Sequence, residues 1–116
     1  MSESEDTLLL RGMVADLIEP IWRTEFYNDV EGAITYKDAK KKDPRSEEEI
    51  EQITSELDML KNDLIEEIVE DLRNAKITKV EDIANSYKEV QKICHQGFAK
   101  YRRRLWDVVK PALPAE

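Results

Sequence analysis

The stretch that decides the fold is 46-SEEEIEQITSELDMLKNDLIEEIVEDLRNA-75. Ser46 and Glu49 form a capping box, in which the serine side chain accepts from the N–H of the third helical residue and the glutamate reaches back. Apolar residues then recur at steps of three and four over about eight turns, which is one helical stripe. These residues are Ile50, Ile53, Leu57, Leu60, Leu64, Ile68, Leu72 and Ala75. The pattern predicts a long amphipathic helix, helix 2, over residues 47–75.

The segments on either side of helix 2 also have helical patterns. After an interruption at 74–78, Thr78-Lys79-Val80-Glu81 is a second capping box, and an apolar stripe from Val80 to Val108 predicts helix 3 over residues 79–110. Helix 1 is expected over residues 4–39 and contains Pro20, which removes a backbone hydrogen bond and predicts a kink or a break there. No run of alternating apolar residues indicates a strand.

Together these segments predict an all-α fold, an antiparallel three-helix bundle whose first helix is kinked or split near Pro20. A chain of 116 residues is expected to form a single helical domain over 1–116. Three glycines and four prolines are too few for a collagenous or turn-rich β chain. Three long helices have a thin core, so we expect self-association, with a homodimer as the simplest form.

The first half of helix 1 is apolar over a wide arc, which exceeds what one neighbouring helix covers. Leu9, Met13, Ile18 and Trp22 are taken to represent this arc, and we call them the helix-1 face. Two interpretations are open. The arc contacts the other helices on one side and a partner chain on the other, or the kink folds helix 1 on itself and buries the whole arc internally.

The net charge of −8 is unevenly distributed. Residues 46–73 contain eleven acidic and two basic residues, whereas residues 88–110 contain seven basic and two acidic residues. Pairing between helices 2 and 3 is one explanation. The other is a contact surface at the end of helix 3, where Arg102, Arg103 and Trp106 lie largely off the core stripe. We call these three residues the basic-aromatic end, because Arg and Trp are enriched at interface hot spots.

The charged residues are compatible with two further functions. Glu67 and Glu70 resemble the first ExxE motif of the all-α nucleotide pyrophosphohydrolases of the MazG type, which implies Mg²⁺-dependent nucleotide hydrolysis, but the second motif of that family, ExxD, is missing. Arg102–Arg104 beside Trp106 would suit weak binding of nucleic acid through phosphate contacts and stacking, although the overall negative charge opposes it. His95 is the only histidine, which excludes multi-histidine zinc sites, and Cys94 lies on the core stripe.

The sequence therefore predicts a non-catalytic protein-binding or assembly subunit that acts through the helix-1 face and the basic-aromatic end. No metal site and no cofactor are expected. The acidic N-terminus is unlike a secretory signal and one cysteine suits a reducing compartment, so a cytoplasmic location is expected. The predicted partner is a protein, including a second copy of the chain; a membrane is not expected, because no apolar run reaches the ~18–20 residues that span a bilayer.

Overall fold

The computed structural model describes residues 5–38 and 43–109, and it confirms the all-α class. A π turn (Arg23–Tyr27) separates the first two helices, and residues 36–38 pair with residues 43–44 as two short antiparallel strands, which the residue pattern did not predict. The elements are α1 (Glu5–Trp22), α2 (Asn28–Thr35), β1 (Tyr36–Asp38), β2 (Asp43–Pro44), α3 (Glu47–Asn74), α4 (Val80–Asn85) and α5 (Tyr87–Val109). Within the described ranges, no helix combines the length and the apolar character that crossing a membrane requires.

Helix 1 contains a π turn at Arg23–Tyr27, which lies beyond the proline that was expected to kink or split the helix. Pro20 is accommodated inside α1, and the π turn begins three residues later. The described part of this segment starts at Glu5, because Ser4 and the predicted end at Ala39 lie outside the described residues. The first helical segment is therefore α1, a wider turn, and α2.

Helix 2 matches α3 to within one residue, because local chemistry fixes both of its ends. The Ser46 hydroxyl accepts from the backbone N–H of Glu49 at 3.2 Å, as the capping box requires. At the other end, Lys76 adopts a left-handed φ of 64°, its N–H donates to the Arg73 carbonyl at 2.9 Å, and the Ile77 N–H donates to the Leu72 carbonyl at 2.8 Å. This is a Schellman motif with lysine in the position that glycine usually takes.

Helix 3 is divided at Ser86 into α4 and α5, which the sequence did not predict. The second capping box is also shifted by one residue. Asp82, and not Glu81, caps the helix: its carboxylate accepts from the backbone N–H groups of Thr78 and Lys79 at 3.0 and 3.1 Å. Glu81 and Asp82 are adjacent in this first turn. Because Lys79 is the N-cap residue, Asp82 is the acid in the third helical position that can accept these hydrogen bonds.

α1, α3 and α5 pack on one another around a common apolar core. α1 and α3 run antiparallel, because Thr7 accepts from Arg73 at 2.6 Å and Glu19 accepts from Lys61 at 2.7 Å. α3 and α5 approach closely at Gly97, where an added Cβ would lie 2.7 Å from Cγ1 of Ile68. The largest fully buried side chains are Phe26, Phe98, Leu10, Ile18, Leu64, Ile68, Leu72, Ile83 and Leu105.

Candidate functional site

The helix-1 face is divided by the fold into core and surface residues. Ile18 is fully buried and Trp22 is only 6% exposed, so these two residues belong to the core and are not available to a partner. Trp22 packs edge-on against Phe26, with ring centroids 5.2 Å apart. Leu9 is 55% exposed and Met13 is half-buried, so only the N-terminal part of this face is on the surface.

The basic-aromatic end is divided in a similar way. Arg102 and Arg103 are exposed, and no carboxylate among the described residues lies within 4 Å of either guanidinium. Trp106 is half-buried, with its ring centroid 5.7 Å from that of Phe26 at an interplanar angle of 88°. The aromatic ring thus helps to attach α5 to the π turn, and the two arginines remain on the surface.

A groove lies on the surface close to these two predicted surfaces, but none of their seven residues lines it. It lies between α1 and α5, beside the π turn, and encloses about 440 Å³. Its lining residues are Asp16, Leu17, Pro20, Ile21, Thr24, Glu25, Tyr87, Gln91 and His95. We call this feature the α1–α5 groove.

The apolar surface extends along α1 beyond the residues that line the α1–α5 groove. Leu9, Met13 and Leu17 are spaced four residues apart, so they follow one another along one ridge of α1. On the opposite side, the ring of Tyr87 is 52% exposed, and its hydroxyl accepts from the Gln91 amide at 2.8 Å. The result is a strip of apolar surface, bounded by two helices, that is open to solvent.

Charges of opposite sign lie on the two sides of this groove. The α1 side carries Asp16 and Glu25, both exposed, and we call it the acidic side. On α5, Lys88, His95 and Arg102 are seven residues apart and therefore share a face to within about 20° per step; we call this the basic side. Among the described residues, no ion pair crosses the groove.

The π turn places Glu25 in the groove, which sequence reasoning missed. Glu25 lies seven residues after the buried Ile18, and in an uninterrupted α-helix residues seven apart share a face. The wider turn places the next residue, Phe26, in the core instead, where it is fully buried. Glu25 thereby becomes exposed on the groove side. Such turns have little sequence signature, although they are frequent at functional sites.

The acidic residues of α3 do not converge on one point. Glu66 pairs with Arg11, and Glu67 lies 3.6 Å from the Lys100 ammonium, which is one of the pairings between helices 2 and 3 expected from the charge pattern. Glu70 is 4.0 Å from a guanidinium nitrogen of Arg73. Within residues 5–38 and 43–109, no group of three or more His, Cys, Asp or Glu side chains is arranged to hold a metal ion.

Cys94 and His95 have different environments although they are adjacent. Burial raises the pKa of the Cys94 thiol to about 11, so the thiolate that a nucleophile needs is disfavoured. His95 is exposed and lines the α1–α5 groove. The two side chains therefore do not form a nucleophile–base pair.

Comparison of the chain with protein-family models, with curated proteins and with solved structures gave no match.

Proposed function

We propose that this chain is a non-catalytic protein-binding module and that the α1–α5 groove is its binding site. The observation that carries the proposal is the groove itself: an open apolar strip between two helices, with Leu9 and Tyr87 each more than half exposed. Helix-in-groove recognition uses a surface of this kind, because an amphipathic helix lays its apolar face into an apolar groove. Leu17 and Pro20 supply the apolar lining, and the charged sides orient the ligand.

The proposal includes a finer description of the molecule. The chain is proposed to be a single antiparallel three-helix bundle that acts in the cytoplasm without a cofactor and self-associates. The Mg²⁺-dependent hydrolase is less well supported, because Glu67 and Glu70, the two residues of its one motif, lie near different basic residues. Nucleic-acid binding would use the exposed Arg102 and Arg103, but Asp16 and Glu25 on the other side of the groove would repel phosphate groups.

Site-directed photo-crosslinking tests the proposal. Tyr87 is replaced by the photoreactive residue p-benzoylphenylalanine, which keeps an aromatic ring in the groove, and the full chain is irradiated in an extract of its source cells. Met59 is 68% exposed on α3 and does not line the groove, so the same replacement there is the matched control. We expect a protein adduct from position 87 that is absent from position 59.

A second substitution links the adduct to the groove surface. Leu17→Asp places a charge in the apolar lining and is expected to abolish the adduct from position 87, while circular dichroism shows an unchanged helix content. No adduct from position 87, or equal adducts from both positions, would overturn the proposal.

A further inference from the structure

We infer that the occupant of the α1–α5 groove is a second copy of this chain, related by a two-fold axis that runs along the groove. The inference rests on the proposed function of the groove and names its partner. It is based on charge complementarity: one chain carries both an acidic side, with Asp16 and Glu25, and a basic side, on which His95 lines the groove and Arg102 follows seven residues later. A groove of this kind is complementary to itself.

The order of the charges along the two helices supports this arrangement. α1 and α5 run in the same direction, because each is antiparallel to α3. The contact between Phe26 and Trp106 fixes their relative level. Glu25 precedes Phe26, and Arg102 lies one turn before Trp106, so both are at the same end of the groove. Asp16 lies ten residues before Phe26 and His95 lies eleven residues before Trp106, so these two groove residues are level with each other further along the helices.

A two-fold axis parallel to the helices does not shift any residue along the helix direction. It places α1 of each copy against α5 of the other, so residues at the same height along the two helices face each other. Glu25 then faces Arg102 of the partner subunit, and Asp16 faces His95 of the partner subunit. Each contact occurs twice, as an isologous interface requires. An axis perpendicular to the helices would instead place α1 on α1, with like charges together.

The combined face of α1 and α5, with its apolar and charged parts together, is large enough for such an interface. α1 has 18 residues and is therefore about 27 Å long. Two adjacent helices are about 20 Å wide, so this face offers about 500 Å² per copy, or about 1,000 Å² in total, which reaches the lower limit for specific interfaces. Leu9, Met13 and Tyr87 from each copy would become buried in it.

Light scattering and sedimentation of the purified full chain test the inference. The wild-type protein is expected to show twice the monomer mass of 13.6 kDa and to dissociate as salt is raised. Glu25→Arg and Arg102→Glu each create two repulsive contacts per dimer, so each is expected to raise the dissociation constant at least tenfold.

Mixing the two variants provides the decisive measurement. In the mixed dimer Arg at position 25 faces Glu at position 102, and Glu25 faces Arg102, so both contacts become attractive. We expect a heterodimer with a dissociation constant within about threefold of that of the wild-type homodimer, because rim charges set partner choice. A variant that fails to fold would not be restored by mixing, so restoration also shows that both variants are intact.

Arg103→Glu is the matched control. It makes the same change of charge on the same helix, but Arg103 lies about 100° around the helix from Arg102 and faces away from the groove. It is expected to leave the dissociation constant unchanged.

Three results would overturn the inference: a wild-type monomer at high concentration, failure of the mixture to associate, or an equal loss from Arg103→Glu. A monomer that still crosslinks from position 87 to a protein of another mass would reject the second copy while leaving the proposed function standing. The groove itself would be rejected by two results together: position 87 gives no crosslink, and the Leu17→Asp variant still forms the same dimer.

Discussion

Gly97→Ala should destabilise this protein, although alanine is the better helix former. Gly97 lies in the interior of α5 and is buried against α3. A Cβ at this position would lie 2.7 Å from Cγ1 and 3.1 Å from Cδ1 of Ile68, which is itself fully buried. Cγ1 is close to the backbone and cannot swing away as a flexible chain end does, so the two helices must separate.

The magnitude follows from a comparison with a glycine that has free space. At Gly12, in the interior of α1, an added Cβ meets nothing within 4 Å. Gly12→Ala is therefore expected to raise the free energy of unfolding by about 1 kcal/mol through helix propensity. Gly97→Ala gains the same stabilisation from helix propensity, but it overpacks the core, which lowers the free energy of unfolding by about 1–3 kcal/mol. Its net effect is a loss of roughly 0–2 kcal/mol, so the two variants differ by about 1–3 kcal/mol.

Urea denaturation followed by far-ultraviolet circular dichroism measures this difference at a fixed protein concentration. With a slope of about 1–3 kcal/mol/M, the midpoints of the two variants should be separated by about 1 M. Ile68→Ala removes the atoms that obstruct the new methyl group, so Gly97→Ala should cost less in that background than in the wild type. Equal stabilisation by Gly12→Ala and Gly97→Ala would refute the close approach of α3 and α5.

Two further predictions concern ionisable groups. Hydrogen bonds from Lys61 and then from Arg23 lower the pKa of Glu19 below its usual 4.5, so this pairing stabilises the fold above that pH and is lost as the pH falls through the lowered value. Glu19→Gln should therefore reduce the free energy of unfolding near neutral pH and have little effect in strong acid; an equal loss at both pH values in urea titrations would contradict the ion pair. Burial raises the pKa of Cys94 to about 11, so a disulfide reagent such as Ellman's reagent should label it slowly in the native protein and rapidly in denaturant. Rapid native labelling would show that the thiol is accessible.

The features that follow from local sequence were predicted well. The capping box at Ser46 and the three-and-four spacing behind it determine α3 within a few residues, and both act through neighbours in the chain. The cap of α4 was misplaced by one residue, because Glu81 and Asp82 are equally suitable acids and only the backbone geometry at Lys79 separates them. The break at Ser86 involves neither proline nor glycine, and therefore had no signal.

The candidate site was predicted only in part, because exposure on a wide apolar arc depends on tertiary packing. Composition alone does not distinguish Leu9, which is exposed, from Ile18, which is buried. The sequence predicts Arg102 as a contact residue because of its charge. Its position near the α1–α5 groove depends on how α1 and α5 pack together, which the sequence does not show. The three-and-four spacing after Val80 predicts Tyr87 on the core stripe of helix 3, but this residue is 52% exposed and lines the groove. The break at Ser86 makes it the first residue of α5.

The π turn has an evolutionary consequence. A turn of this width is the structural equivalent of one amino acid inserted into an α-helix. Removing one residue between Trp22 and Phe26 would bring Phe26, Val30 and Ile34 into the spacing of a continuous helix, seven, eleven and fifteen positions after Ile18. A homologue with that deletion would keep the same apolar core with a straight first helix. It would appear in an alignment as a gap of one position, and it would lack the means of presenting an acidic side chain at the position of Glu25.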